Sequence, residues 1–300
     1  MRRALLFAAA LSAGLSSPAA AQRGRRADTA GVRRDSPAST SDTRFTPALK
    51  AGQRLSVSNI DGNVTVMQGQ GQSAEIVVHK LVRKGNGNLV KAVLEETSNG
   101  YRVCTVYLGS SSDERGCTGG SRGDTHENWR EPLDVEMKYD IRLPAGVALT
   151  VNSVDGSIEA RGIDTPATLR SVDGSITFEG VAPDMLNTVD GAITATITNT
   201  EWSHPLAVRS VDGGIDLTLP AAINMRITGH TVDGGIESDF PMTISGKWGP
   251  QSFQGDVGNG SGPSLELSSV DGGIRLRSSD GVRRGAAQAE PARRRGRGRP

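Results

Sequence analysis

The sequence predicts an all-β fold in which a strand-corner-strand unit of about 20 residues repeats along most of the chain as a β-solenoid. Three observations lead to this prediction. A Val-Asp-Gly motif recurs, apolar residues alternate with polar ones on both sides of it, and glycine is frequent (38 of 300 residues) while aromatic residues are few (4%). Such a composition favours many tight turns and thin aliphatic packing over a globule built around large aromatic side chains.

The repeat centres on an Asp-Gly pair that marks one corner of each unit. Glycine tolerates a positive φ and aspartate can hydrogen-bond the local backbone, so we interpret these pairs as structural turn residues. From Asp155 onward the intervals between them are 18, 17, 22, 21 and 38 residues, and the long last interval predicts a degenerate copy near residues 252–256. The pairs are Asp61-Gly62, Asp155-Gly156, Asp173-Gly174, Asp190-Gly191, Asp212-Gly213, Asp233-Gly234 and Asp271-Gly272.

Two architectures fit this pattern. In a single-stranded solenoid the chain bends at each corner, and equivalent residues stack about 4.8 Å apart from rung to rung. The alternative is an antiparallel hairpin meander, because Asp-Gly between alternating runs is also a strong hairpin signal. A hairpin would expose the Val before each Asp-Gly. We therefore favour the solenoid and expect this Val to point into the core.

The part of the chain before the regular repeats differs from them. Alternation predicts strands at 75–82, 101–108 and 133–143, whereas apolar residues at 89, 90, 93 and 94 predict a short amphipathic helix over 89–96. The chain has two cysteines, Cys104 and Cys117. An even cysteine count in an exported protein favours a disulfide between them, which would stabilise the fold by roughly 3 kcal/mol.

The ends of the chain predict export. Residues 1–21 have the positive start, short apolar stretch and small residues of a secretory signal peptide, and we expect no transmembrane segment. Residues 22–44 (six Arg, three Asp) and 282–300 (seven Arg, one Glu) predict a disordered basic linker and a disordered Arg-rich tail. Between them, residues 45–281 form the predicted solenoid, with 19 Lys and Arg against 29 Asp and Glu.

The aspartates of the stacked corners are the main candidates for site chemistry. Carboxylates about 5 Å apart repel one another, so either backbone hydrogen bonds or a cation must offset the repulsion. We favour turn chemistry, and a weak divalent-cation ladder is the alternative, on Asp155, Asp173, Asp190, Asp212, Asp233 and Asp271. The sequence otherwise predicts no catalytic residues, no metal site and no cofactor.

Three segments together resemble a bacterial family of β-strand-repeat proteins that carries the label adhesin and whose domain has no assigned function. They are LSVSNIDGNV at 55–64, GYRV at 100–103 and YDIRLPAGV at 139–147, which leads directly into the repeats. The resemblance covers most of residues 45–281. It implies a right-handed β-solenoid on the exported side of the membrane and supplies no catalytic residues.

The functional expectation is a non-enzymatic scaffold in the periplasm, on the cell surface or in the medium, which binds a macromolecular or cell-surface partner as an adhesin does. An anionic envelope polymer is a candidate partner for the Arg-rich tail, and nucleic acid is not expected. Two alternatives stay open at this point. One is an accessory binding protein in envelope-stress sensing, and the other is a carbohydrate-active β-solenoid.

Overall fold

The structure is a computed structural model that describes residues 38–108, 116–117, 133–181, 183–201, 203–246 and 249–280. The predicted signal peptide, most of the basic linker and the Arg-rich tail lie outside these residues. Within the described residues the secondary structure is β-strand, apart from a 3₁₀ helix at Gly87–Leu89 and a single helical turn at residues 279–280. The predicted all-β class is confirmed.

The strands fall into two groups along the chain. The N-terminal group is β1 (Ser39–Phe45), β2 (Arg54–Ser58), β3 (Val64–Gln68), β4 (Glu75–Lys84), β5 (Val90–Thr97), β6 (Gly100–Tyr107) and β7 (Asp134–Leu143). The second group is β8 (Ala148–Asn152), β9 (Ile158–Ile163), β10 (Ala167–Arg170), β11 (Ile176–Gly180), β12 (Met185–Asp190), β13 (Ile193–Ile197), β14 (Leu206–Asp212), β15 (Ile215–Leu219), β16 (Met225–Asp233), β17 (Ile236–Ser238), β18 (Thr243–Ser245), β19 (Gln251–Val257), β20 (Ser264–Asp271) and β21 (Ile274–Ser278).

These strands form two mostly parallel sheets. The first has ten strands in the order β1-β4-β7-β3-β9-β11-β13-β15-β21-β17, and the second has eleven in the order β18-β19-β16-β20-β14-β12-β10-β8-β2-β6-β5. Each Asp-Gly corner joins a strand of the second sheet to a strand of the first, and we call such a pair a rung. Neighbouring rungs pair in parallel, with one corner beside the next, as in Asp155 beside Asp173. The hairpin meander is therefore wrong for the repeats, and the handedness of the winding stays a prediction.

The spatial order of the rungs departs from the chain order at the C-terminal end. Asp212 pairs with Asp271, and Asp271 pairs with Asp233. The last rung, β20-β21, thus inserts between β14-β15 and β16-β17. The predicted degenerate copy near 252–256 is wrong, because that segment belongs to β19, which runs antiparallel to β16. The long interval in the sequence therefore holds an antiparallel end, β18 and β19, followed by the return of the chain.

The N-terminal end is also built by a return of the chain. The first rung, β2-β3, lies between β8-β9 on one side and β6-β7 on the other. Antiparallel strands then complete both sheets, with β4 and β1 beyond β7 and β5 beyond β6. The predicted helix at 89–96 is wrong. Residues Val90–Thr97 are strand β5, because a continuous antiparallel ladder with β6 outweighs a weak helical periodicity.

The predicted disorder of residues 22–44 is wrong at its end. Strand β1 begins at Ser39 and pairs with β4 along its length. Its residues are exposed apart from the half-buried Phe45, so the sequence has no hydrophobic alternation here from which the strand could be predicted. The backbone ladder with β4 orders it instead.

The core is a continuous apolar cluster with members from both sheets. Equivalent aliphatic side chains lie over one another in successive rungs, and the register places Ile158, Ile176, Ile193, Ile215 and Ile274 in one such column. All five are buried. Burying a side chain of this kind stabilises the fold by about 1.5–3 kcal/mol, so the stacked columns are the main source of stability.

Candidate functional site: the Asp-Gly corner

Each corner begins with a buried hydroxyl or amide side chain one position before the Val. Strand alternation continues up to the corner, so this residue points inward, and the position holds Asn59, Ser153, Ser171, Thr188, Ser210, Thr231 and Ser269. In most rungs the hydroxyl donates a hydrogen bond to the corner Gly carbonyl of the adjacent rung. Thr188 Oγ1 reaches the Gly174 oxygen at 2.8 Å, and Ser210 Oγ reaches the Gly191 oxygen at 3.0 Å. These bonds satisfy a buried donor and tie one rung to the next.

The Val of the motif points outward, so the prediction that it faces the core is wrong. Six of these side chains are 38% to 46% exposed, and Ile60 in the first rung is half-buried. Period-two alternation requires this arrangement once the preceding Ser or Thr faces inward. Because the rungs stack, the six form one strip, which we call the valine ridge: Val154, Val172, Val189, Val211, Val232 and Val270.

The corner Gly is required by close backbone approach between rungs. A Cβ on Gly174 would lie 2.4 Å from the Gly156 oxygen, and a Cβ on Gly213 would lie 2.2 Å from the Gly191 oxygen. Backbone hydrogen bonds draw the corners together, as between the Gly174 nitrogen and the Asp190 oxygen at 2.8 Å. The sequence prediction of structural turn residues gave backbone freedom as the reason, and the structure adds this steric one. Some corner glycines also have a positive φ, for example Gly62 at 113°.

The corner aspartates form a column of carboxylates beside the valine ridge. All of them are exposed except Asp61, which is half-buried. Burial raises the pKa of Asp61, and the carboxylates of Asp155 and Glu136 raise it further. Among the described residues, His, Cys, Asp and Glu side chains do not gather in a group of three that could hold a metal ion. The divalent-cation ladder stays a prediction.

The first rung replaces the hydroxyl with the larger Asn59, which sequence reasoning did not single out. Its Nδ2 donates to the backbone oxygens of Gly62 at 2.7 Å and Met137 at 2.8 Å. Its Oδ1 accepts from Thr105 Oγ1 at 2.8 Å, and that hydroxyl also contacts the Tyr139 hydroxyl at 2.8 Å. This buried network joins the first rung to β6 and β7. The sequence signal for this role is an amide side chain at a position where every other copy of the motif has the hydroxyl of Ser or Thr.

One consequence of this replacement is an unsatisfied hydroxyl in the next rung. Ser153 occupies the position from which other rungs donate to a neighbouring Gly oxygen, and the equivalent acceptor here is the Gly62 oxygen. Asn59 already donates to that oxygen. Ser153 Oγ is buried without a hydrogen-bond partner. The Asn59 network at the N-terminal end therefore leaves one buried hydroxyl unsatisfied in the next rung.

Tyrosines and a carboxylate cluster surround this N-terminal corner. Burial raises the pKa of Tyr107 to about 12, with Asp61 and Asp134 adding to the effect. Burial also raises the pKa of Tyr139, although its bond to Thr105 opposes the shift. Burial alone would raise the pKa of Glu136, but hydrogen bonds from Lys138 and Arg83 outweigh it, and the net pKa is lowered. Because the pKa values of Tyr107 and Tyr139 are both raised, these two phenols stay protonated at neutral pH.

The two cysteines form a disulfide that holds the segment 116–117 against β5 and β6. The Cα atoms of Cys104 and Cys117 are 5.6 Å apart. Cys104 lies on β6 opposite Val93 of β5. The Cys117 nitrogen donates to Glu95 Oε1 at 2.7 Å, which fixes the same segment to β5 a second time.

Among the described residues, open grooves on the sheets include two that are lined by polar side chains. One crosses β16, β18, β19 and β20 and includes Thr228, His230, Gln254 and Glu266. The other follows Gly214, Gly235 and Gly273, beside Asp216 and Glu237. Both carboxylates of the second groove form ion pairs with Arg275. Such surfaces offer hydrogen-bonding groups to a polar ligand, whereas the corner offers an apolar strip beside carboxylates.

Several solved structures are similar to this chain. It is similar to a candidate cell adhesion protein from Clostridium sporogenes ATCC 15579 (9% identity, 80% of this chain and 100% of that chain, TM-score 0.45). It is also similar to candidate adhesins from Bacteroides fragilis NCTC 9343 (9% identity, 79% and 97%, TM-score 0.25) and Parabacteroides merdae ATCC 43184 (8% identity, 79% and 95%, TM-score 0.28). No curated protein sequence matches the chain significantly.

The family itself is shown by a match along most of the chain. Residues 53–277 match the family described as Toastrack DUF4097. The match begins just before β2 and ends within β21, so it includes every rung. The resemblance predicted from the three sequence segments is confirmed, and the chain belongs to the Toastrack family, DUF4097.

Proposed function

We propose that the protein is an exported, non-enzymatic scaffold of the cell envelope or the medium, and that it binds a macromolecular partner along its corners. The disulfide between Cys104 and Cys117 supports a location outside the cytoplasm, since structural disulfides persist in oxidising compartments. The predicted signal peptide at 1–21 agrees with this location. Among the described residues, the structure contains no helix with the length and hydropathy that a membrane span requires.

The observation that carries the proposal is the valine ridge. Six exposed apolar side chains, one from each of six rungs, lie beside a column of exposed carboxylates. With rungs about 4.8 Å apart, this strip is roughly 25 Å long, which is more than a small ligand covers. Contiguous exposed apolar surface of this kind marks interaction sites on soluble proteins. The ridge therefore fits an extended macromolecular surface.

The chemistry of the corner supports binding over catalysis. Each rung of the valine ridge contributes the same Val, Asp and Gly, so the groups form a regular strip and do not converge around one reacting atom. Catalytic sites instead gather different groups at a single point, with a nucleophile or base within hydrogen-bond reach of a partner. The Arg-rich tail at 282–300 adds a second binding element for anionic envelope polymers.

The test measures binding of the purified protein to isolated envelope fractions. A variant in which Val172, Val189 and Val211 are changed to Thr keeps the β-branched shape and removes the apolar surface. Ile244→Thr is the matched control, because Ile244 is exposed to a similar degree (46%) but lies on β18, away from the ridge. We expect the triple variant to lose binding and the control to retain it. Equal binding by both would contradict the proposal.

A deletion of residues 282–300 separates the tail from the ridge. Binding through arginines to a polyanion weakens steeply as salt rises, whereas binding through the valine ridge weakens much less. We expect the deletion to remove the salt-sensitive part of envelope binding and to leave the ridge-dependent part. If the deletion abolishes all binding, the ridge is not the principal surface.

A further inference from the structure

The two sheets have four open edges among the described residues. In the first sheet these are β1 and β17, and in the second they are β18 and β5. An edge strand presents unpaired N–H and C=O groups, to which another chain can add a strand. Proteins that stay monomeric guard such edges with short strands, covering segments, proline or charged side chains, lysine above all.

Three of the four edges carry a recognisable guard. Strands β17 and β18 have three residues each, too few for a stable added strand. Strand β5 is longer, but the disulfide holds Cys117 beside it, and the Cys117 nitrogen bonds to Glu95 on that strand. These edges therefore offer little or restricted backbone for pairing.

Among the described residues, strand β1 has no covering segment and no proline, and its charged side chains include one of each sign, so they do not repel a second copy of the same strand. It is seven residues long, Ser-Thr-Ser-Asp-Thr-Arg-Phe, without proline, glycine or lysine. It pairs only with β4 among the described residues, and all of its residues but Phe45 are exposed. Its two charged residues, Asp42 and Arg44, have opposite signs and lie on the same face of the strand, since alternate residues share a face.

The charges of β1 select one self-pairing register. Two identical strands pair antiparallel about a two-fold axis through one residue. An axis at Asp42 or at Arg44 sets like charges opposite each other. An axis at Thr43 sets Asp42 of each copy opposite Arg44 of the other, which places two opposite-charge pairs across the join.

From these observations we infer that β1 pairs antiparallel with β1 of a second copy of this chain, about Thr43, and so joins two first sheets edge to edge. The intrachain ion pairs of these residues are compatible with this arrangement. Arg44 Nη1 contacts Glu75 at 2.8 Å, and the guanidinium has further donors for the Asp42 of the partner chain. Asp42 contacts His79 through one carboxylate oxygen, with 2.9 Å between Asp42 Oδ1 and His79 Nδ1. The inference is independent of the valine ridge and of any external partner.

Charge reversal tests this inference by sedimentation of the purified protein over a range of concentrations. We expect the wild type to form a dimer. Asp42→Arg sets Arg opposite Arg at both contacts, and Arg44→Asp sets Asp opposite Asp. Each variant alone should weaken self-association about tenfold, because two attractive pairs become repulsive. A mixture of the two variants restores opposite charges at both contacts, and it should form a heterodimer with near wild-type affinity.

The mixture also excludes misfolding as the cause, since only folded chains can recover association. Glu96→Arg is the matched control, with a charge reversal on the other long edge strand, β5. We expect it to leave the dimer intact. A wild type that is monomeric at every concentration, a dimer that Asp42→Arg and Arg44→Asp leave unchanged, a mixture that stays monomeric, or dissociation by Glu96→Arg would each overturn the inference.

Discussion

The central rungs and the first rung use different side chains to bond the corner of one rung to its neighbour. In the central rungs a single hydroxyl, such as that of Thr188, donates to one Gly oxygen of the adjacent rung. In the first rung Asn59 donates to two backbone oxygens, that of Gly62 in its own rung and that of Met137 in the neighbouring strand β7. Thr105 and Tyr139 extend this network into the N-terminal end.

This difference shows that the residue before the Val is determined by the contact it makes with the neighbouring rung. A central rung lies beside a rung with the same corner motif, so one short hydroxyl side chain suffices for each contact. The first rung meets β6 and β7, which lack the corner motif, and a longer amide is needed to reach their backbone. The cost is local, because Ser153 in the next rung is left without a partner.

The largest effect is expected where the central rungs approach most closely. Gly174→Ala places a Cβ against the Gly156 carbonyl group, with distances of 2.4 Å to the oxygen and 2.6 Å to the carbon. Because backbone must move, we expect the free energy of unfolding in urea to fall by about 3 kcal/mol or more. Gly235→Ala is the control, since a Cβ there meets nothing within 4 Å. It should change stability by no more than about 1 kcal/mol. Similar losses for the two variants would refute the steric account.

A substitution at Asn59 tests the network of the first rung. Asn59→Ala removes the donor to the Gly62 and Met137 oxygens and leaves the buried Thr105 hydroxyl with Tyr139 as its remaining side-chain partner. We expect a loss of about 2 kcal/mol in unfolding free energy. Native-state hydrogen exchange should show the opening confined to β2, β6 and β7, while the central rungs keep their protection. Uniform loss of protection would mean that Asn59 has no special role at this end.

Much of this architecture could be predicted from the sequence because alternation and turn chemistry are local signals. The corners, the strands that flank them and the all-β class follow from such signals. The outward Val does not, because hydrophobicity suggested burial although alternation places the preceding Ser or Thr inside. The regular Ser or Thr at that position was the available signal. The insertion of β20-β21 between earlier rungs and strand β5 in place of a helix depend on pairing between distant segments, which local patterns do not encode.

A smaller effect on stability is expected at the Ser or Thr position before the Val, where two rungs can be compared directly. Thr188→Ala removes the bond to the Gly174 oxygen and should cost about 1 kcal/mol, since a buried acceptor loses its donor. Ser153→Ala removes a buried hydroxyl without a partner, and it should leave stability unchanged or slightly raise it. Urea titrations of both variants measure the difference. If Ser153→Ala costs as much as Thr188→Ala, the assignment of Asn59 as the competing donor fails.

The smallest expected effect concerns Asp61. Its pKa is raised in the folded state, so the folded chain holds this proton more tightly than the unfolded chain does. The contribution therefore favours folding at acidic pH and is lost as the pH rises through the folded pKa. Asp61→Asn should stabilise the protein at pH 7 by a few tenths of a kcal/mol, because the half-buried carboxylate is screened by solvent. The gain should vanish in acid, as thermal melts at both pH values will show.

The most direct test of the stacked arrangement is cross-linking between valine positions. Arg209-Ser210 and Asp212 pair in register with Ser268-Ser269 and Asp271, so Val211 and Val270 lie on adjacent rungs, within the Cα separation that a disulfide spans. Val232 is one rung further away, beside Val270. Oxidation of Val211→Cys with Val270→Cys should give an intramolecular disulfide, detected by peptide mapping, and Val211→Cys with Val232→Cys should not. A disulfide in the second pair and none in the first would mean that the rungs follow chain order, and the central claim would be contradicted.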